Sequence, residues 1–186
     1  MNSEGLNEHR LDTVKDACGI VLEIGFGSGL NLPYYKNVSK LYALEPSGEI
    51  YNLAQERISK ISFPVEYIQA GAESIPLPDM STDCVVSTFT LCSIPHLEKA
   101  LSEVFRVLKP GGKFYFVEHG KSPNATISNI QNLFTPISKC IAGGCHMNRD
   151  IENYILNAGF KIQKLEKGSE GIKPLSYIYK GTAVKV

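Results

Sequence analysis

The sequence lacks a long apolar run. No stretch of its 186 residues is long and apolar enough to read as a membrane span, and the opening MNSEGLNEHR is too polar for a secretory signal. It lacks an excess of charge of either sign: 19 Lys and Arg stand against 19 Asp and Glu. Without a basic surplus there is no global field to draw in a nucleic acid or an anionic membrane, so neither is expected as a partner. A paired cysteine framework is also missing. Five cysteines, an odd number, are scattered at 18, 84, 92, 140 and 145, which fits a reducing, cytoplasmic setting better than a disulfide scaffold. There is no internal repeat and no low-complexity segment. What remains is an ordinary globular composition in a length that suits one domain with its own core.

One further absence is local. Residues 20–31, IVLEIGFGSGLN, run from a short apolar stretch through an acid, Glu23, into glycines at 25, 27 and 29. An apolar run bounded by glycines reads as a buried strand feeding a tight loop. The glycines let the backbone take positive φ or approach a ligand closely. The pyrophosphate fingerprint needs G-x-G-x-x-G, and its third glycine is absent: Leu30 or Leu32 stands there, depending on where the count begins. G-x-G-x-G preceded by an acid suits a ligand with no pyrophosphate and with a cationic amine for Glu23 to meet. S-adenosylmethionine has both properties. An ordinary strand-to-helix turn is the bland alternative.

The rest of the chain alternates. Residues 1–19 form a polar lead-in with weak helical character near Leu11 and Val14. Strands are expected at 20–24, 40–44, 64–69, 83–89 and 113–118. A short helix begins at Tyr34 and Tyr35, and a second follows Pro46 and Ser47 through Ile58. A third runs from Pro95 and His96 to Arg106, with Leu97, Ala100, Leu101, Val104, Phe105 and Leu108 on one face, and KPGG at 109–112 stops it. Such alternation means an α/β sheet with right-handed crossovers. Helical stretches follow between 127 and 157. Two strand-like runs come last, at 160–164 and 175–186, joined by a Gly-containing loop with no helix between them. They must pair as a hairpin, so one of them runs antiparallel to the sheet.

In an open sheet of this kind, ligands bind beyond the carboxyl ends of the strands. The first strand ends at the glycine loop. The second ends at Glu45, followed by Pro46, and its carboxylate suits the two ribose hydroxyls of a nucleoside. After the third come Gly71, Ala72 and Glu73, small enough to admit an adenine ring, with Glu73 as an acceptor for its amino group. After the fourth, residues 88–92 wall the ligand. His119, just past the fifth, is the candidate general base, with Glu118 beside it to orient it. Cys140, Cys145 and His146 have no fourth partner nearby and match no standard metal spacing, so no metal is expected. Cys92, Cys145, His146 and Arg149 are read as lining an acceptor pocket. The last three fall in an insert at about 120–150 that is free to vary with substrate.

In this order, VLEIGFGSG, ALEPS, GAESIPLPD, DCVVSTFTLCSIP and EVFRVLKPGGKFYFVEHG resemble the class I S-adenosylmethionine-dependent methyltransferases, most closely the type 11 group, over residues 18–186. The tail carries Glu118, His119, Gln131, Pro136, Gly144, Cys145, Arg149, AGF at 158–160 and YKGTA at 179–183. It is similar to a subgroup that includes membrane-associated thiol S-methyltransferases and many small bacterial enzymes. The resemblance implies a Rossmann-like, doubly wound, seven-stranded α/β sheet, mostly parallel with the last strand antiparallel, in a single domain at 1–186. It implies S-adenosyl-L-methionine as cofactor, leaving as S-adenosyl-L-homocysteine. It carries the methionine part onto Glu23, Gly25, Gly27 and Gly29, the ribose onto Glu45, the adenine onto Gly71, Ala72 and Glu73, and the wall after strand four onto Thr88 and Leu91. Phe26 and Pro46 join the cofactor set by position. Phe26 is bulkier than the small residue usual there. The lead-in is shorter than the one or two covering helices family members carry, and it has no apolar anchor. An open site, or one closed by a second subunit in a homodimer, is the expectation.

Methyl transfer from a sulfonium is an in-line displacement at carbon, and the protein chiefly holds the nucleophile close and collinear. A thiol needs a modest base, an alcohol a stronger one, a tertiary amine none. The reading is therefore an S-adenosylmethionine-dependent methyltransferase of a small-molecule acceptor, with a thiol or small lipophilic molecule favoured. A non-catalytic S-adenosylmethionine-binding module and a nicotinamide-dependent oxidoreductase are the rival readings. The missing third glycine counts against the second. No residue spacing separates sulfur, oxygen and nitrogen acceptors.

Overall fold

Side chains alternate across a strand, so a strand covered on both faces is apolar at consecutive positions. Along β1 (Cys18–Ile24), Val21 enters one core cluster and Leu22 and Ile24 the other, all fully buried. In β4 (Thr82–Thr88), Cys84 and Val86 are divided from Val85 in the same way. The computed structural model describes residues 4–141, 143–169 and 176–186. These strands are the middle of its seven-stranded sheet. The others are β2 (Asn37–Leu44), β3 (Val65–Ile68), β5 (Leu108–Gly120), β6 (Phe160–Ser169) and β7 (Tyr177–Lys185), and the order is β3-β2-β1-β4-β5-β7-β6. The first five in that order are parallel, and β7 is antiparallel to both of its neighbours. The expected hairpin is thus the β6–β7 pair, with β7 as the reversed strand. The loop expected before it lies largely at 170–175, outside the described residues.

Two helical layers cover the sheet. On one face α4 (Leu97–Val107) buries Leu97, Ala100, Leu101 and Val104, the i, i+3, i+4, i+7 stripe of an amphipathic helix, and α6 (Ile151–Asn157) adds Ile151 and Ile155. On the other face lie α1 (Glu4–Val14), a 3-10 turn at Leu32–Tyr34, α2 (Gly48–Asn52) and α3 (Gln55–Ile58), through Val14, Leu32, Tyr35 and Ala54. The long α5 (Ala125–Ile141) is tied to the end of β5 by Gln131. Its side chain accepts from the Ser122 N–H at 2.9 Å and donates to the Gly120 carbonyl at 3.1 Å.

Three elements differ from expectation for local reasons. The helix read through Ile58 is two short helices, because Leu53 and Ala54 bond back to Ile50 and Tyr51 and tighten the backbone. That turn exposes Leu53 and buries Ala54. The helix expected at Tyr34 is a single 3-10 turn. Tyr35 leaves it in extended conformation, with its hydroxyl on Glu23 at 2.7 Å. KPGG is a bulge within β5: Thr82 pairs with Leu108 and Cys84 with Lys113, so residues 109–112 bow out opposite Asp83. Lys109 closes the bow on the Asp83 carboxylate at 2.6 Å.

At the centre of β7 a side chain has no room. A Cβ on Gly181 would lie 2.4 Å from the Lys164 carbonyl oxygen and 2.8 Å from the Phe116 ring. Gly181→Ala is expected to lower stability by about 1–3 kcal/mol in urea unfolding. Gly168→Ala on β6, where a Cβ meets nothing within 4 Å, should stay within about 0.5 kcal/mol of the parent.

Candidate active site

Past β1 the backbone goes through positive φ at Gly25, Gly27 and Gly29 (65°, 57° and 74°). A Cβ on Gly25 would lie 2.2 Å from Thr90 Oγ1, so the glycine lets this loop rest against the loop after β4. A Cβ on Gly29 would strike Leu32, Ala54 and the Phe26 ring at 2.9–3.2 Å. Phe26 is buried in the α2–α3 layer, its ring 5.8 Å from Tyr51. Its bulk therefore fills core. The Gly27 N–H donates to Glu45 at 3.0 Å, and the other Glu45 oxygen accepts from Ser47 N–H at 3.0 Å.

Glu23 is 1% exposed beneath this loop, and both its oxygens are engaged, by Asn31 Nδ2 at 2.8 Å and Tyr35 OH at 2.7 Å. Asn31 also donates to Thr88 Oγ1 at 3.0 Å. Arg10 of α1 completes the cluster. Its Nη1 donates to Thr88 Oγ1 at 2.8 Å and Asn31 Oδ1 at 3.1 Å, and its guanidinium lies 5.4 Å from the centre of the Phe89 ring. Burial pushes the Glu23 carboxyl up to about 7, against the opposing pull of Tyr35, Asn31 and the Arg10 charge.

Beside the loop opens a cleft of about 450 Å³, within the usual size of small-molecule sites. Of the cofactor set named from the sequence, six residues line it: Gly25, Glu45, Pro46, Gly71, Ala72 and Glu73. Glu23, Phe26, Gly27, Gly29, Thr88 and Leu91 do not. Thr88 belongs to the Arg10 cluster, and Leu91 is fully buried in the α4-side core. Phe89 and Thr90, from the 88–92 stretch read as a wall, line it too, with Ile94 and Gly143. Phe89 holds φ 56°, a left-handed conformation uncommon for a non-glycine residue, with its N–H on the Val117 carbonyl at 2.8 Å.

Most of the residues read from the sequence as lining an acceptor pocket come together near the end of β5. Glu118 does not serve His119, as the sequence suggests it would: adjacent strand positions point to opposite faces, and Glu118 is committed to the loop after β4. It accepts from Ser87 Oγ at 2.6 Å, Thr90 N–H at 3.0 Å and Cys92 N–H at 3.3 Å. The His119 ring stands 5.0 Å from Phe89. One ligand atom each from Cys92, His119 and Cys145 lie within 4.8 Å of one another. Hydrogen bonds from Cys92 and His119, with the His119 and His146 charges, hold the Cys145 thiol down at about 5, while Cys92 moves up. His146 binds the Cys92 carbonyl through its N–H at 2.8 Å. Arg149, 8% exposed, donates to the carbonyls of Leu91 and Pro95. Cys140 stays apart, exposed on α5. Sequence reasoning missed Arg10, Asn31 and Tyr35. The last two follow the glycine loop closely enough to be suspected, but nothing near Arg10 marks it.

A parallel sheet with its last strand reversed, opening a nucleoside-sized cleft at its carboxyl edge between a glycine loop and an acid, is the architecture of the class I S-adenosylmethionine-dependent methyltransferases. Residues 22–116 match the family described as the methyltransferase domain, and the chain belongs to that family. S-adenosylmethionine is the donor of the class, and the cleft fits it, with Glu45 at one wall and side-chain-free backbone at Gly25 and Gly71. The chain is 32% identical over 150 residues to thiol S-methyltransferase TMT1B of Rattus norvegicus, covering 78% of this chain and 62% of that protein. To the Homo sapiens TMT1B it is 30% identical over 171 residues, covering 89% and 70%. Its fold is similar to that of the YcgJ protein of Bacillus subtilis, with a TM-score of 0.73 at 21% identity over 90% of this chain and 73% of that one. The chain thus spans about two thirds of the length of the thiol methyltransferases. No helix among the described residues is long and apolar enough to cross a membrane.

Below pH 4.5 Glu23 is protonated whether the chain is folded or not. Between 4.5 and about 7 the unfolded chain releases this proton while the folded chain keeps it. Stability from this group therefore falls as pH rises through that window, by about 3 kcal/mol at most. Glu23→Gln is expected to remove the fall, seen as urea midpoints at pH 5 and pH 7.5 that draw together relative to the parent.

Proposed function

We propose that the chain is an S-adenosylmethionine-dependent methyltransferase acting on a small molecule, a thiol or small lipophilic compound foremost, in a reducing compartment such as the cytoplasm. The observation that carries this reading is the continuity of two sites. Phe89, Thr90 and Ser93 wall the cleft holding Glu45, and the Cys92–His119–Cys145 group adjoins that wall, with Cys92 next to Ser93 and the His119 ring 5.0 Å from Phe89. The thiol methyltransferase names of two relatives support the choice of acceptor. All five cysteines are unpaired thiols, which supports the compartment.

When bound, the cofactor supplies a methyl group already activated on a sulfonium. This chain's residues do the rest. Glu45 keeps its two N–H partners and offers its remaining lone pairs to the ribose hydroxyls, and Gly71 and Ala72 leave a flat surface for the base, with Glu73 at its edge. Arg10, Asn31 and Glu23, in one hydrogen-bonded cluster beneath the glycine loop, set the charge under the methionine end. His119 takes a proton from an arriving thiol, and Phe89, half-buried with its ring 5.0 Å from the imidazole, covers that side.

Calorimetric titration with S-adenosylhomocysteine and with NAD tests the donor. Binding of the first alone is expected, and binding of NAD alone overturns the reading. Transfer of label from methyl-tritiated donor to a panel of thiols, phenols, amines and phospholipids tests the acceptor, with thiols expected to lead. Glu45→Gln is expected to weaken S-adenosylhomocysteine about tenfold or more, since a charged acceptor for two hydroxyls becomes a neutral one.

A further inference from the structure

Cys92, His119 and Cys145 have served so far as an acceptor wall, but as a donor set they have a chemistry of their own. Two sulfurs and an imidazole nitrogen lie within 4.8 Å of one another. They come from three separate segments that the fold locks together. Cys92 sits on the loop clamped by Glu118, and His119 ends β5. Cys145 lies in the segment pinned by the His146 N–H on the Cys92 carbonyl and by Arg149 on the Leu91 carbonyl.

Soft sulfur with imidazole is the donor set of zinc. Calcium and magnesium require oxygen ligands, and Glu118, the nearest buried carboxylate, is engaged by Ser87, Thr90 and Cys92. With sulfur at about 2.3 Å and nitrogen at about 2.0 Å, tetrahedral geometry sets ligand atoms roughly 3.5–3.8 Å apart, so the group needs to close by about 1 Å. Among the described residues no fourth His, Cys or acid joins it. Phe89, 5.0 Å from the His119 ring, and Ser93, next to Cys92, both border the donor cleft, so an added ligand arrives from that side.

We propose that Cys92, His119 and Cys145 bind one thiophilic divalent cation, Zn²⁺, with the fourth position open to a small thiol acceptor. The cation site stands on the donor set; its use by an acceptor rests on the methyltransferase reading. Coordination favours the thiolate over the thiol, and the released proton goes to solvent. The sulfur lone pair forms the new S–CH₃ bond while the donor's C–S bond breaks. That electron pair stays on the donor sulfur, which becomes a neutral thioether, and no oxidant or reductant takes part. In the loaded site His119 is a ligand, and the cation replaces it as the means of removing the thiol proton.

Reduced, metal-stripped protein titrated with Co²⁺ is expected to take up one equivalent and show tetrahedral ligand-field and thiolate charge-transfer bands, which Zn²⁺ abolishes. Cys92→Ser, Cys145→Ser and His119→Gln should each weaken uptake of Co²⁺ and Zn²⁺ at least tenfold, and Cys18→Ser should leave it unchanged. Far-UV circular dichroism separates a lost ligand from a lost fold, and His119→Gln alone decides the matter if the buried cysteine variants misfold. Adding 2-mercaptoethanol to the cobalt form is expected to shift the charge-transfer band, and an unmoved band refutes the open position. No Co²⁺ uptake by fully reduced protein, or uptake that survives His119→Gln, overturns the site. S-adenosylhomocysteine binding is measured on the same sample. Metal uptake without it leaves the cation site standing and removes the methyltransferase reading, and the converse result removes the cation site alone.

Discussion

A carboxylate shut off from solvent sits near the end of β5, and the loop after β4 is wound around it. Glu118 is 0% exposed. Burial raises its pKa, while the Ser87 hydroxyl and the N–H groups of Thr90, Leu91 and Cys92 draw it back. A buried charge left without such donors costs several kcal/mol, so the loop is held to a conformation in which these N–H groups converge. That conformation contains Phe89 at positive φ. The same few residues give Phe89 and Thr90 to the donor cleft, the Leu91 carbonyl to Arg149, and Cys92 to its meeting with His119 and Cys145. One buried acid thereby fixes the position of the cleft relative to the Cys92–His119–Cys145 group.

A second buried acid works differently. Glu23 is balanced by side chains, Asn31, Tyr35 and the more distant Arg10 charge. Arg10 arrives from α1, which lies across β4 and β5. The helix therefore does more than cover the sheet: it brings a cation to the cluster beneath the glycine loop. Where Glu118 is satisfied mainly by backbone and is rigid, Glu23 depends on groups that rotamer changes can move, and its charge is sensitive to any cation placed above the loop.

What the sequence made legible is what local physics decides. Glycines at 25, 27 and 29, the acid at the end of the second strand, the apolar stripe of α4 and the pairing of two strands without a helix between them all follow from residue type and spacing. Eight named residues line the cleft, Phe89 and Thr90 among them, because strand ends and the turns after them can be placed from periodicity. Tertiary contacts lay out of reach. Arg10 acts 78 positions from Thr88, on a helix with almost no amphipathic signature. Cys140, Cys145 and His146 look like a cluster in sequence, but α5 carries Cys140 away and the real neighbours of Cys145 are Cys92 and His119. Adjacency also says little of partners: Glu118, next to His119 in sequence, is taken up by the loop after β4.

The position of β7 bears on how the sheet is made. It is the last strand in chain order, yet it lies inside the sheet, and it is the only strand that β6 pairs with among the described residues. A nascent chain emerging from the ribosome can assemble the five parallel strands, but β6 has no strand to pair with until β7 has followed it out. Until then the outer edge of β5, with Phe116 and Val117 along it, lacks a partner. The closing step is therefore a late antiparallel insertion, and the interval before it is when this chain is most open to pairing with a neighbour.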